Sequence, residues 1–221
     1  MIPGARLVLL GRQGAGKGTQ CTRLSRHYVV PHISTGDMLR AAVREGTELG
    51  RKAEEIMSAG QLLPDDLMVG IVDERLERDD TRTRGFILDG FPRTVTQAEA
   101  LLEITSPRAI DLAVDLEVAT EIVLARLATR RVCLDCGTNY SVDVPPKYGN
   151  VCDICGGDVV QRRDDTEKAI SQRLALYEAE TAPLIAWFEA KGLLEVVDGL
   201  GHPDDVTDRL VHTIDRRRTS Q

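Results

Sequence analysis

"RLVLLGRQGAGKGT" (residues 6–19) decides the fold. Residues 6–10 form a short apolar run that ends in glycine, as expected of a strand buried inside a parallel sheet. The loop that follows, GRQGAGKGT (11–19), matches G-x-x-x-x-G-K at Gly11, Gly16 and Lys17. Glycines let a backbone fold tightly enough for successive N–H groups to point inward, where they and a helix N-terminus surround phosphate oxygens. Gly14, Ala15, Gly16, Lys17, Gly18 and Thr19 are therefore the expected cradle. Lys17 carries a mobile positive charge to the β and γ phosphates. Gly18 stands where Ser or Thr usually holds Mg²⁺, which leaves Thr19 or water for that ion.

Outward from this loop, further strand candidates are VVPHIS (29–34), GFILD (85–89), LAVDLEV (112–118) and LLEVVD (193–198). Helical patterns separate them. Leu67, Ile71, Val72 and Leu76 fall on one stripe, as do Ile170, Leu174 and Tyr177, then Leu184, Trp187 and Phe188. Pro183 is expected to divide that last segment into two helices. Strand–helix alternation predicts a parallel α/β sheet with right-handed crossovers. Residues 35–67 and about 127–165 are too long for simple crossovers; the first reads as helical, the second as short strands and turns. The basic tail DRRRTSQ reads as a frayed helix end.

The chain has 221 residues, 42% hydrophobic and 29% charged, enough for one domain with insertions. Its 28 Lys+Arg against 35 Asp+Glu give a net charge of -7. That balance argues against non-specific nucleic-acid binding, which needs a basic face. No apolar run approaches the roughly 18 residues of a membrane span, and the N-terminus lacks the long apolar stretch of a signal peptide. The expectation is a cytoplasmic monomer with no nucleic-acid or membrane partner.

Four of the five cysteines form two CxxC pairs, Cys133/Cys136 and Cys152/Cys155, with 15 residues between them. This spacing is close to that of tetrahedral Zn–S₄ sites, closed and structural. Iron, disulfides or free thiols stay open as alternatives, although disulfides are rare in a cytoplasmic protein. The fifth, Cys21, reads as a buried hydrophobe.

GKGT, HISTGDMLRAAV (32–43), LDGFPRTVTQA (88–98), RRDD (162–165), TAPLI (181–185) and VVDG (196–199) occur in an order and spacing that resemble adenylate kinase nearly end to end. The form resembled is the long-lid one, in which some members carry a metal in the lid. The resemblance implies a P-loop NTPase-type five-stranded parallel sheet flanked by helices: a core of residues 1–34, 68–126 and 166–221, a nucleoside-monophosphate (AMP) insertion of 35–67, and a lid of 127–165 with the zinc clip. It implies reversible transfer of the terminal phosphoryl of MgATP to AMP, giving two ADP. A UMP/CMP kinase or a GTP-using AMP kinase is the alternative among enzymes. A zinc-ribbon, nucleotide-dependent nucleic-acid binder is the alternative from another class.

Such a reaction needs positioning and charge stabilisation more than a special base, and arginine meets phosphate bidentately. By resemblance, Arg40 and Arg93 grip the AMP phosphate. Arg126, Arg130, Arg162 and Arg173 act on the ATP side and the transferring phosphoryl, with Arg126 near the adenine and Arg162 and Arg173 also reaching the AMP side. Arg126 and Arg130, at i and i+4, are expected on one helix face. Asp89 suits the water shell of Mg²⁺, or serves as a turn or cap residue. Asp164 and Asp165 resemble residues that orient the lid arginines. Thr35, Gly36, Met57, Leu63, Gly90 and Gln97 match positions around the AMP base. Arg12 and Gln13 replace the small residue and proline common in this family; the expectation is a looser loop with extra charge from Arg12 near the phosphates.

Overall fold

A computed structural model describes residues 4–141, 144–162 and 165–219. The main sheet is parallel, in the order β2-β3-β1-β4-β8. Its strands are β1 (Ala5–Leu10), β2 (His32–Ser34), β3 (Gly85–Asp89), β4 (Leu112–Glu117) and β8 (Leu194–Asp198). β1 lies at the centre, and its apolar run is explained by burial on both faces. Leu7 and Leu9 pack on one side with Leu24, Tyr28, Leu112 and Leu210. Val8 and Leu10 pack on the other with Ile33, Leu88, Leu101 and Phe188, as the two-residue side-chain period of a strand requires.

Parallel register brings the C-terminal ends of β1, β2 and β3 level, with Leu9 opposite Asp89 and Asp89 opposite Ser34. The crevice outside those ends is where open α/β sheets take ligands. The cradle leads into α1 (Lys17–Tyr28). The second strand is shorter than the predicted 29–34, because Val29 closes α1 in the left-handed region (φ 57°).

Residues after β2 form α2 (Thr35–Arg44), capped by Ser34, and α3 (Glu48–Ser58), capped by Thr47. α4 (Asp65–Leu76) returns the chain to the core. Its buried stripe is Met68, Val72 and Leu76; Leu67, expected inside, is 36% exposed. α5 (Asp79–Arg84) precedes β3, α6 (Val95–Thr105) follows it, and α7 (Thr120–Thr129) follows β4.

Between α7 and the next helix lies a small antiparallel sheet of β5 (Arg131–Cys133), β6 (Asn139–Tyr140) and β7 (Val159–Val160), in the order β6-β5-β7. α8 (Glu167–Leu176) then runs through a π-helical turn, Tyr177–Thr181, into α9 (Pro183–Ala190). Pro183 divides the segment as expected, at a first helical position where its missing N–H costs nothing. α10 (Pro203–Thr219) ends the described chain. Its basic end is tied down rather than frayed: Arg216 pairs with Glu195 at 3.2 Å and Arg218 with Asp111 at 3.2 Å.

Candidate active site

The cradle is built by backbone conformations that only glycine adopts easily. Gly11, Gly14 and Gly16 all have positive φ. At Gly14 an added Cβ would meet Leu127 Cγ at 2.9 Å and the Val123 carbonyl oxygen at 3.0 Å. Gly16 is the N-cap of α1 and offers no side-chain acceptor. The first N–H groups of α1 therefore keep their hydrogen-bonding capacity for an anion. Lys17 Nζ donates to the carbonyls of Gly11 (2.6 Å) and Arg12 (3.0 Å), folded against the loop it serves. Burial lowers the Lys17 pKa; Asp89 opposes that, and Arg93 and Arg130 add to it.

One cleft of about 520 Å³ brings together the cradle, Thr35, Gly36, Arg40, Met57, Leu63, Asp89, Gly90, Arg93, Gln97, Arg126, Arg130, Arg162 and Arg173. On the α2–α3 side, Arg93 Nε donates to Gly90 O at 2.8 Å. That approach depends on glycine at 90, where a Cβ would sit 3.0 Å from the Arg93 guanidinium. Thr35, buried, donates its hydroxyl to the same carbonyl at 2.9 Å. Gln97 Oε1 accepts from Arg93 N–H (2.8 Å), and its Nε2 donates to Asp65 (2.7 Å). Arg40 bonds Asp37 at 2.5 Å.

Asp165 is the hub on the lid side. Its fully buried carboxylate accepts from Arg130 Nε (2.8 Å) and from the second Arg130 nitrogen (2.5 Å), and lies 3.7 Å from Arg173. Gln13 Nε2 donates to it across 3.2 Å. Arg162 donates to Asn139 (3.3 Å), while its Nε is buried with no partner. Burial, then Arg130 and Arg40, push the Arg162 pKa down to about 10. Arg93 is lowered in the same way: burial leads, Asp89 opposes, and Arg173 and Arg40 add to it. A buried cleft in which burial and neighbouring cations lower the pKa values of Lys17, Arg93 and Arg162 is suited to anionic ligands.

Two expectations are corrected. α7 ends at Thr129, so Arg126 and Arg130 do not share a helix face. Arg130 has extended backbone (ψ 135°) and turns to Asp165, while Arg126 donates to Ala15 O (3.1 Å) and Gly199 O (3.4 Å). Arg12 does not add charge to the cradle: it pairs with Glu178 at 2.7 Å and lies over the Tyr177 ring. Asp164 lies outside the described residues. Asp65, Asn139 and the Gln13–Asp165 contact escaped the sequence reading, because no local spacing signals a contact made across many residues of chain.

Asp89, at the end of β3, is nearly buried. Burial raises its pKa, but the His32 imidazole, Lys17 and Arg93 outweigh that and hold it below the usual carboxylate range. A carboxylate so charged, facing the cradle, suits a magnesium ion's waters.

Around the small antiparallel sheet, all four sulfurs of Cys133, Cys136, Cys152 and Cys155 lie within 4.8 Å of one another. Cys133–Cys155 is 3.4 Å and Cys136–Cys152 is 3.5 Å. Disulfides require about 2.05 Å, whereas a Zn–S₄ tetrahedron spaces its sulfurs about 3.8 Å apart. Matching turns follow, with Gly137 N–H donating to Cys133 O and Gly156 N–H to Cys152 O. The residues fit a four-thiolate metal. Among the described residues the hydrophobic cluster of this segment is Cys133, Tyr140, Cys152 and Val159, so two of its four members belong to the cysteine group.

A P-loop on a parallel α/β sheet, opening on a cleft lined by arginines, defines a nucleotide phosphotransferase. The adenylate kinase family model matches residues 9–193. Relatives named adenylate kinase include one from Geobacter sp. (strain M21), 51% identical over 94% of this chain and 98% of its own length. Another, from Caldicellulosiruptor bescii, is 46% identical over 95% and 98%. A third, from Archaeoglobus fulgidus, is 50% identical over 87% and 90%. The chain belongs to the adenylate kinase family and is a nucleoside monophosphate kinase. Among the described residues no helix is long and apolar enough to cross a membrane.

Proposed function

We propose that the two sides of the cleft divide the substrates of MgATP + AMP ⇌ 2 ADP as follows. ATP lies in the cradle of Gly14, Ala15, Gly16, Lys17, Gly18 and Thr19, with Arg126 beside its adenine. AMP lies against Thr35, Gly36, Met57, Leu63, Gly90 and Gln97, its phosphate held by Arg40 and Arg93. Arg130, Arg162 and Arg173 face the phosphoryl group between them, and Asp165, with Asp164, sets the lid arginines. Magnesium, bound with ATP, would neutralise phosphate charge, its waters oriented by Asp89. Zinc would brace the lid through the four cysteines.

The observation that carries this reading is the convergence of Lys17 and the arginines on one cleft, where burial and neighbouring cations lower the pKa values of Arg93 and Arg162. Two phosphate-bearing substrates supply the missing negative charge, and fixed cations stabilise the charge that moves between them. Acceptor choice rests on Gln97: one proton of Nε2 and one lone pair of Oε1 are used within the protein, leaving one of each for a base edge. The core, insertion and lid boundaries, a monomeric state and a cytoplasmic setting belong to the same reading, and the net charge of -7 supports the absence of a nucleic-acid partner.

A coupled assay of ADP formation with AMP, UMP, CMP and GMP as acceptors, and ATP or GTP as donor, tests it. The expected result is a strong preference for ATP with AMP. Comparable turnover of UMP or CMP would overturn the assignment of Thr35 and Gln97.

A further inference from the structure

Cys21 has no part in the phosphate chemistry above, yet it is placed for chemistry of its own. Its Sγ, a nitrogen of His32 and a carboxylate oxygen of Asp89 lie within 4.8 Å of one another. Three elements converge there: Cys21 on α1, His32 at the start of β2, and Asp89 at the end of β3, two residues beyond His32's register partner Ile87. His32 Nε2 is buried and makes no hydrogen bond. It stands 3.6 Å from Asp89 Oδ2, beyond hydrogen-bonding distance. Ligand atoms on a tetrahedral ion with bonds of about 2.0–2.2 Å are spaced about 3.4 Å apart. Imidazole and carboxylate are thus spaced for an ion between them rather than for each other.

We propose that Cys21, His32 and Asp89 form a second metal site, suited to Zn²⁺ and similar soft ions, and that filling it inhibits phosphoryl transfer. One sulfur, one nitrogen and one oxygen donor select zinc-like ions over magnesium, which prefers oxygen alone. Asp89 lines the cleft and gives the ion its route in. Burial keeps the Cys21 thiol protonated in the metal-free protein. On binding, the S–H bond breaks, the metal–sulfur bond forms, and the proton leaves to solvent. The ion's two charges are then matched by thiolate and carboxylate. The inhibition, unlike the binding, rests on the proposed role of Asp89 toward magnesium's waters: a carboxylate tied to zinc no longer orients them, and a new cation faces Lys17.

The test uses the full chain with its lid metal retained. Equilibrium dialysis against Zn²⁺, without nucleotide, should find one equivalent beyond the lid's in the wild type and none in Cys21→Ala. In activity assays at fixed excess MgATP, Cys21→Ala should keep its basal rate, since a small apolar residue suits the position. It should need at least about tenfold more Zn²⁺ for half inhibition, because even changes around a ligand cost about 10–100-fold in metal affinity. Cys21→Ser, nearly isosteric, repeats the comparison should alanine disturb folding. Because both proteins share the same competition for ATP, the difference reports the site. Equal half-inhibition in wild type and both variants, or no added equivalent in the wild type, overturns the proposal. The dialysis contains no nucleotide, so its failure is distinct from a failure of the substrate assignment.

Discussion

Asp165→Asn tests how the lid arginines are held. The carboxylate has no solvent exposure, accepts both nitrogens of Arg130 and one of Gln13, and lies 3.7 Å from Arg173. Asparagine preserves the volume, so no cavity opens. What changes is charge, and an amide NH₂ now faces guanidinium donors. Breaking a buried ion pair by removing one partner costs about 3–5 kcal/mol. The Arg130 and Arg173 side chains keep 15% and 17% of their exposure, so the lower end applies, about 3 kcal/mol. For a chain of this size each kcal/mol shifts Tm by about 2–4 °C, giving a loss of about 6–12 °C without ligand. Bound nucleotide phosphates offer the orphaned arginines new anions, so the gap between variant and wild type should narrow with saturating ADP. Scanning calorimetry with and without ADP measures both. A ligand-free loss below about 2 °C, worth about 1 kcal/mol, or a gap that ADP leaves unchanged, would refute Asp165 as the counter-ion of the lid arginines.

Arg93→Ala should raise the KM for AMP and lower kcat while leaving ATP affinity nearly unchanged. A charge-assisted hydrogen bond worth about 1.5–3 kcal/mol sets a loss of roughly ten- to a hundredfold in kcat/KM for AMP, read by varying each substrate in turn. Equal loss of ATP affinity counts against the acceptor-side placement. Metal analysis should find about one lid zinc per chain in low-zinc buffer. Its removal, or Cys133→Ser, should lower Tm and slow transfer while ATP binding in the cradle partly survives. Metal-free protein with unchanged melting defeats the brace.

Much of the fold was legible because its signals are local. The buried central strand and its glycine loop lie in 14 consecutive residues, and their chemistry allows few alternatives. The three inner strands β1, β3 and β4 follow from apolar runs with one cause, burial on both faces, while the edge strands β2 and β8 are only partly covered. The errors fall where tertiary packing overrides pattern. Leu67 and Met68 are both apolar neighbours on α4, and periodicity alone does not say which enters the core; Met68 does. The i, i+4 reading of Arg126 and Arg130 failed because α7 stops between them, with no glycine or proline to announce the stop.

The site divides along the same line. That Lys17, Asp89 and Arg93 share one cleft and that the four cysteines cluster was legible, because each sits in a short motif whose spacing brings it there. The Gln13–Asp165–Arg130 network was not, since it joins the cradle, the far lid hinge and the residue after α7, and its members are up to 152 positions apart. Yet that network gives Gln13 a use. A proline at this position would stiffen the loop but offer no donor. Glutamine instead ties the phosphate cradle to the carboxylate that holds Arg130, while Arg12 fastens the same loop to Glu178. Arg12 and Gln13 thus give the loop two side-chain contacts, one on each side of the cradle. One runs to Asp165 and the other to the π-helical turn, so the loop and Arg130 share a single buried carboxylate.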